Sequence, residues 1–62
     1  MCEANAYLLK DGQEELLMEA VDLMEPDEDG AFRLISIFGE QKTVNGRLKS
    51  MNLVNHRILF EE

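Results

Sequence analysis

Apolar and polar residues alternate near the start of the chain. Ala4, Ala6 and Leu8 stand against Glu3, Asn5 and Tyr7, so the spacing predicts a strand from about Met1 to Lys10. Asp11-Gly12 turns it back. The run Phe32-Arg33-Leu34-Ile35-Ser36-Ile37-Phe38 places Phe32, Leu34, Ser36 and Phe38 on one face and Arg33, Ile35 and Ile37 on the other. Both faces are largely apolar, which predicts the central strand of a sheet, with the phenylalanines Phe32, Phe38 and Phe60 in the core. Arg57 to Phe60 makes a last strand. Further turn signals stand at Pro26-Asp27-Glu28-Asp29-Gly30, Gly39, Asn45-Gly46 and Asn55-His56. Asn45-Gly46 matches a two-residue type I′ hairpin, which needs φ > 0 at both central positions.

Between Glu14 and Met24 two periods compete. Leu16, Leu17, Ala20, Val21 and Met24 form a helical stripe among strong helix formers, whereas with period two Leu17, Val21 and Leu23 share a face that Glu19 interrupts. Pattern alone leans to helix. The Asp11-Gly12 turn demands a return strand, however, and a short barrel has little room for a helix, so strand is the reading adopted. Recurrent turns between strand-length segments predict an all-β fold: a small antiparallel β-barrel of about six to seven short strands.

The 62 residues form a single domain, 1–62, without an internal disulfide or paired Cys/His zinc spacing. A domain this small and without staples favours a partner subunit, and apolar residues on both faces of the Phe32–Phe38 strand point to a homodimer. The expected protein is soluble and cytoplasmic: no basic segment leads into an apolar run at the N-terminus, and no apolar stretch reaches membrane-spanning length. The formal charge of −7 is uneven. Residues 1–30 carry ten carboxylates against Lys10 alone, and residues 31–62 carry five cations against three carboxylates. This balance argues against nucleic acid. The rival reading, a small RNA-binding barrel, would use Lys42, Arg47, Lys49 and Arg57, and it needs exposed aromatics on which bases stack.

The candidate chemistry lies at the terminus. Removal of Met1 ahead of a small residue leaves Cys2 with an α-amine and a thiolate that close a five-membered ring on a metal. Two such termini in a dimer present N₂S₂ in a plane, a donor set that suits Ni(II) or Cu(II). With Met1 retained, its amine, the Cys2 amide nitrogen and the thiolate form an N,N,S chelate instead. His56 is the sole imidazole and stands as a further ligand, a proton shuttle or an ordinary turn residue. Ser36 and Ser50 have no neighbouring base, so no enzyme activity is expected. Glu25–Gly30 imitates the start of a calcium loop but has Ser36 where the bidentate glutamate belongs, and it reads as a solvated acidic turn. Met1, Met18, Met24 and Met51 read as core filler rather than a thioether site.

Met1-Cys2-Glu3-Ala4, Tyr7-Leu8, Met18-Glu19-Ala20-Val21, Ile37-Phe38-Gly39-Glu40-Gln41, Gly46-Arg47-Leu48-Lys49 and His56-Arg57-Ile58-Leu59 follow one another over nearly the whole chain. In this order they resemble the CooT-type small nickel-binding proteins associated with maturation of carbon monoxide dehydrogenase. The Met-Cys opening is also similar to that of the small hydrogenase-maturation chaperones. The resemblance implies a compact β-barrel homodimer with Cys2 as the nickel ligand near the dimer interface, and no catalysis. The implied role is a metallochaperone or metal store serving a nickel enzyme such as carbon monoxide dehydrogenase. Members are also labelled RNA-binding, a label that rests on fold analogy.

Overall fold

The computed structural model describes residues 3–62, and Met1 and Cys2 lie outside the described residues. Among the described residues six strands are present: β1 (Ala4–Lys10), β2 (Gln13–Pro26), β3 (Phe32–Ser36), β4 (Gln41–Val44), β5 (Arg47–Asn52) and β6 (Arg57–Glu61). They form one sheet in the order β4-β3-β2-β1-β6-β5. Neighbours pair antiparallel except β1 and β6, which run parallel.

The segment that was ambiguous in sequence is a strand of 14 residues, and its register explains the helical stripe. From Ala4 to Ala6, two steps on β1 match three on β2, from Val21 to Met18. From Ala6 to Tyr7, one step matches two. On the other edge, Val21 to Leu23 matches the single step from Ser36 to Ile35. These are β-bulges, and each extra residue shifts the alternation by one. Met18 and Val21 therefore face the core three positions apart, with Leu17 and Met24 packed beside them. Bulges also bend a strand. The first half of β2 pairs with β1 and the second half with β3, so the sheet rolls about this bend.

Rolling encloses a core of Ala4, Ala6, Met18, Val21, Leu34, Val44, Ile58 and Phe60. Phe32 and Phe60 meet across it with ring centroids 5.4 Å apart and planes tilted by 50°. Phe60 and Leu34 are fully buried, and each such side chain contributes about 1.5–3 kcal/mol through removal from water.

The expected closed antiparallel barrel needs correction. Among the described residues β4 and β5 are the two edges of the sheet and share no ladder, although Asn45 and Gly46 alone connect them. Three Cα steps, at most about 11 Å, separate Val44 from Arg47, so the edges meet at this corner and splay beyond it. Asn45-Gly46 is accordingly no type I′ hairpin, and neither residue has positive φ. The glycine serves close approach instead. A Cβ at position 46 would lie 2.6 Å from the carbonyl oxygen of Glu61. The strand expected to be central, β3, is interior but one place from the edge, and β2 and β1 hold the middle.

Phe38 was expected in the core and is 75% exposed. The chain reverses after Ser36, whose buried hydroxyl accepts hydrogen bonds from the N–H groups of Phe38 and Glu40, both at 3.2 Å. Gly39 takes φ +87° in this turn, so the alternation stops and Phe38 stands at the tip.

Candidate functional site

Four segments distant in sequence are joined by successive hydrogen bonds at the start of β1. The Ile37 N–H donates to the Ala20 carbonyl (3.0 Å), the Ala20 N–H to Asn5 Oδ1 (3.2 Å), and the Asn5 N–H to the His56 carbonyl (2.8 Å). The β3–β4 turn, the β2 bulge, the first strand and the β5–β6 turn are thereby held in one corner. Ala20 and His56 both adopt left-handed backbone there, at φ 55° and 56°. For a residue with a Cβ that conformation costs about 1–2 kcal/mol. The bonds from Ile37 and to Asn5 hold Ala20 in it. Alternation marks Asn5 only as a polar position, and nothing local signals that its side chain caps a bulge 15 residues away.

Cys2, the principal candidate of the sequence, lies outside the described residues. His56 is exposed, and its turn abuts β1 through the bond to Asn5, 51 residues away in sequence. Ile37, Phe38, Leu53 and Val54 sit in the two turns of this corner and are 40%, 75%, 55% and 88% exposed. Four large apolar side chains left exposed on so small a domain make this corner a candidate interaction surface. It escaped sequence reading because Ile37 and Phe38 continue the pattern of a buried strand.

The remaining candidates separate. Ser36 is committed to its own turn, and Ser50 is exposed. In the acidic turn, Asp27 Oδ1 accepts from the Glu28 N–H (2.7 Å), the Asp27 N–H donates to the Ala31 carbonyl (2.7 Å), and the Gly30 N–H donates to the Asp27 carbonyl (3.1 Å). Glu25 pairs with Arg33 at 2.9 Å. These contacts describe a solvated β2–β3 turn. Among the described residues no three His, Cys, Asp or Glu side chains are grouped to hold a metal. Met18 is buried in the core and Met24 packs on it, but Met51 is exposed on β5.

The four cations of the RNA reading are each engaged within the fold. Lys42 donates to the Leu17 carbonyl (3.2 Å), Arg47 and Lys49 share Glu61 at 3.4 and 3.9 Å, and Arg57 pairs with Glu14 while lying 4.6 Å over the Tyr7 ring. Two of the three phenylalanines pack in or against the core.

Similarity to known proteins follows the fold. The family profile described as CO dehydrogenase accessory protein CooT matches residues 1–61. The chain belongs to the CooT family. The crystal structure of a protein described as a CooT from Carboxydothermus hydrogenoformans is 41% identical, with a TM-score of 0.91, covering 98% of this chain and 97% of that one. No curated protein matches significantly. The CooT match begins at residue 1 and so spans Cys2 as well as the corner around Asn5, Ala20 and His56. Among the described residues of this CooT-family protein no helix is long and apolar enough to cross a membrane.

Proposed function

We propose that this CooT-family protein is a non-catalytic, cytoplasmic nickel carrier that serves maturation of carbon monoxide dehydrogenase or a comparable nickel enzyme. The observation that carries the proposal is the match to a CO dehydrogenase accessory family over residues 1–61, which includes the terminal cysteine. Nickel is cargo here. The Cys2 thiolate and a backbone nitrogen chelate it, and a soft sulfur donor with amine or amide nitrogen favours Ni(II) over the hard cations magnesium and calcium.

A homodimer supplies two such termini to one ion. The exposed Ile37, Phe38, Leu53 and Val54, held in the corner beside the start of β1, support a second copy docking there. Both donors of the amine–thiolate chelate lose protons on binding, so nickel affinity rises with pH through the α-amine range near ~8 and falls below it. Calorimetry of wild type and Cys2→Ala with nickel tests the assignment. Equal affinity in the two proteins refutes it, whereas loss of tight binding in the folded variant sustains it.

A further inference from the structure

We propose that the open seam between β4 and β5 receives an extended acidic peptide segment of a partner protein as an added strand. The proposal is independent of the metal reading, and three observations converge on it.

The first is unpaired backbone. The Ser36 N–H donates to the Glu40 carbonyl at 2.9 Å, and bonded pairs alternate along an antiparallel ladder. Leu34–Lys42 and Phe32–Val44 are then the bonded pairs of β3 and β4. Gln41 and Thr43 direct their N–H and C=O groups to the free edge, where among the described residues no strand pairs with them. A free edge is a template for another strand.

The second is a floor. A cleft of about 270 Å³ opens beside β4 at its corner, lined by Leu8, Leu17, residues 42–46 and Glu62. Leu8 and Leu17 are only partly buried, because the unclosed sheet leaves that side of the core uncovered. An apolar side chain on every second residue of an added strand fits this floor.

The third is charge. Residues 41–52, which form both edges and their corner, carry Lys42, Arg47 and Lys49 and no carboxylate, in a chain of net charge −7. Glu61 and Glu62 lie alongside. Glu61 shares its carboxylate between Arg47 and Lys49 in exposed contacts of 3.4 and 3.9 Å, which a partner's carboxylate can replace. A second copy is a poorer occupant, since the strands that end its own sheet are the same basic ones and Glu14 of its acidic β2 is already paired with Arg57. RNA is disfavoured because Phe32 and Phe60 pack together within the fold and Arg57 covers Tyr7, which leaves Phe38 as the one exposed aromatic ring among the described residues, too few for a run of stacked bases.

The test is an amide chemical-shift titration of the isotope-labelled protein with a short synthetic peptide of alternating aspartate and leucine. Parallel titrations use the lysine–leucine analogue, the aspartate–leucine peptide N-methylated at alternate positions, and a single-stranded RNA oligonucleotide. The expected result is saturable shifts at the Gln41 and Thr43 amides with the acidic peptide alone. Lys42→Glu should weaken binding about tenfold. Thr43→Pro, which removes only an outward N–H and is tolerated at an edge, should abolish it while amide dispersion elsewhere persists. No shift at these amides, equal shifts with the lysine or N-methylated peptide, or saturation by RNA instead of peptide overturns the proposal.

Discussion

Replacing Gly46 with alanine tests whether the β4–β5 corner depends on backbone packed against backbone. The added Cβ lies 2.6 Å from the Glu61 carbonyl oxygen, 3.3 Å from its carbonyl carbon and 3.6 Å from Leu8 Cδ1. The nearest atoms belong to the β6 main chain, which pairs with both β1 and β5, so no flexible side chain can yield and a strand has to move. Overpacking of this kind costs about 1–3 kcal/mol. Alanine recovers about 0.4–1 kcal/mol by restricting the unfolded chain, because Gly46 has no left-handed φ to lose. The net expectation is a loss of about 1–2 kcal/mol, or about 4–16 °C in Tm for a domain of this size. Urea unfolding followed by circular dichroism should show a lower midpoint with an unchanged slope. Gly39→Ala provides the contrast: at φ +87° with open space around it, its cost is conformational and leaves the corner intact. A Gly46→Ala protein as stable as wild type, with the amides of Leu8 and Glu61 unshifted, refutes the reasoning.

Other expectations concern the corner around Asn5. Ala20→Gly removes the strain at φ 55° but adds glycine's own entropic cost, for a net gain of about 0.5–1 kcal/mol in thermal or urea unfolding. Asn5→Ala leaves the part-buried Ala20 N–H without its acceptor and should cost about 1–3 kcal/mol; the cost should be less than additive with Ala20→Gly, since both act on one bulge. Phe38→Ser removes an exposed ring, so unfolding should shift by no more than about 0.5 kcal/mol, while sedimentation should show less of the proposed dimer.

The legible part of this fold was its local part. Ala4, Ala6 and Leu8 alternate in sequence, and Ala4 and Ala6 are buried on β1 with Leu8 packed on the core. Asp11-Gly12 turns the chain with both residues at positive φ, and Arg57 to Phe60 is a strand. What misled has particular causes. Three bulges gave β2 a spacing that imitates a helix, because a bulge is set by pairing across the sheet and not by the residues that form it. Asn45-Gly46 has the composition of a hairpin turn, yet its glycine answers to Glu61, 15 positions away and invisible to local pattern. Phe38 extends an apolar run that Ser36 ends by capping two amides. At the site, Cys2 could be singled out from its position and its metal chemistry, whereas Asn5 and Ala20 acquire their role only once four segments meet.

The central claim is that Cys2 holds nickel. Its most direct test is a nickel titration of metal-free protein by ultraviolet–visible absorption, with intact mass recorded to establish whether Met1 is present and with Cys2→Ala run in parallel. The account predicts thiolate-to-nickel charge-transfer bands that saturate at about one metal per two chains and are absent from the variant. Protein confirmed to begin at Cys2 that develops no such bands, or bands that persist in Cys2→Ala, would contradict it.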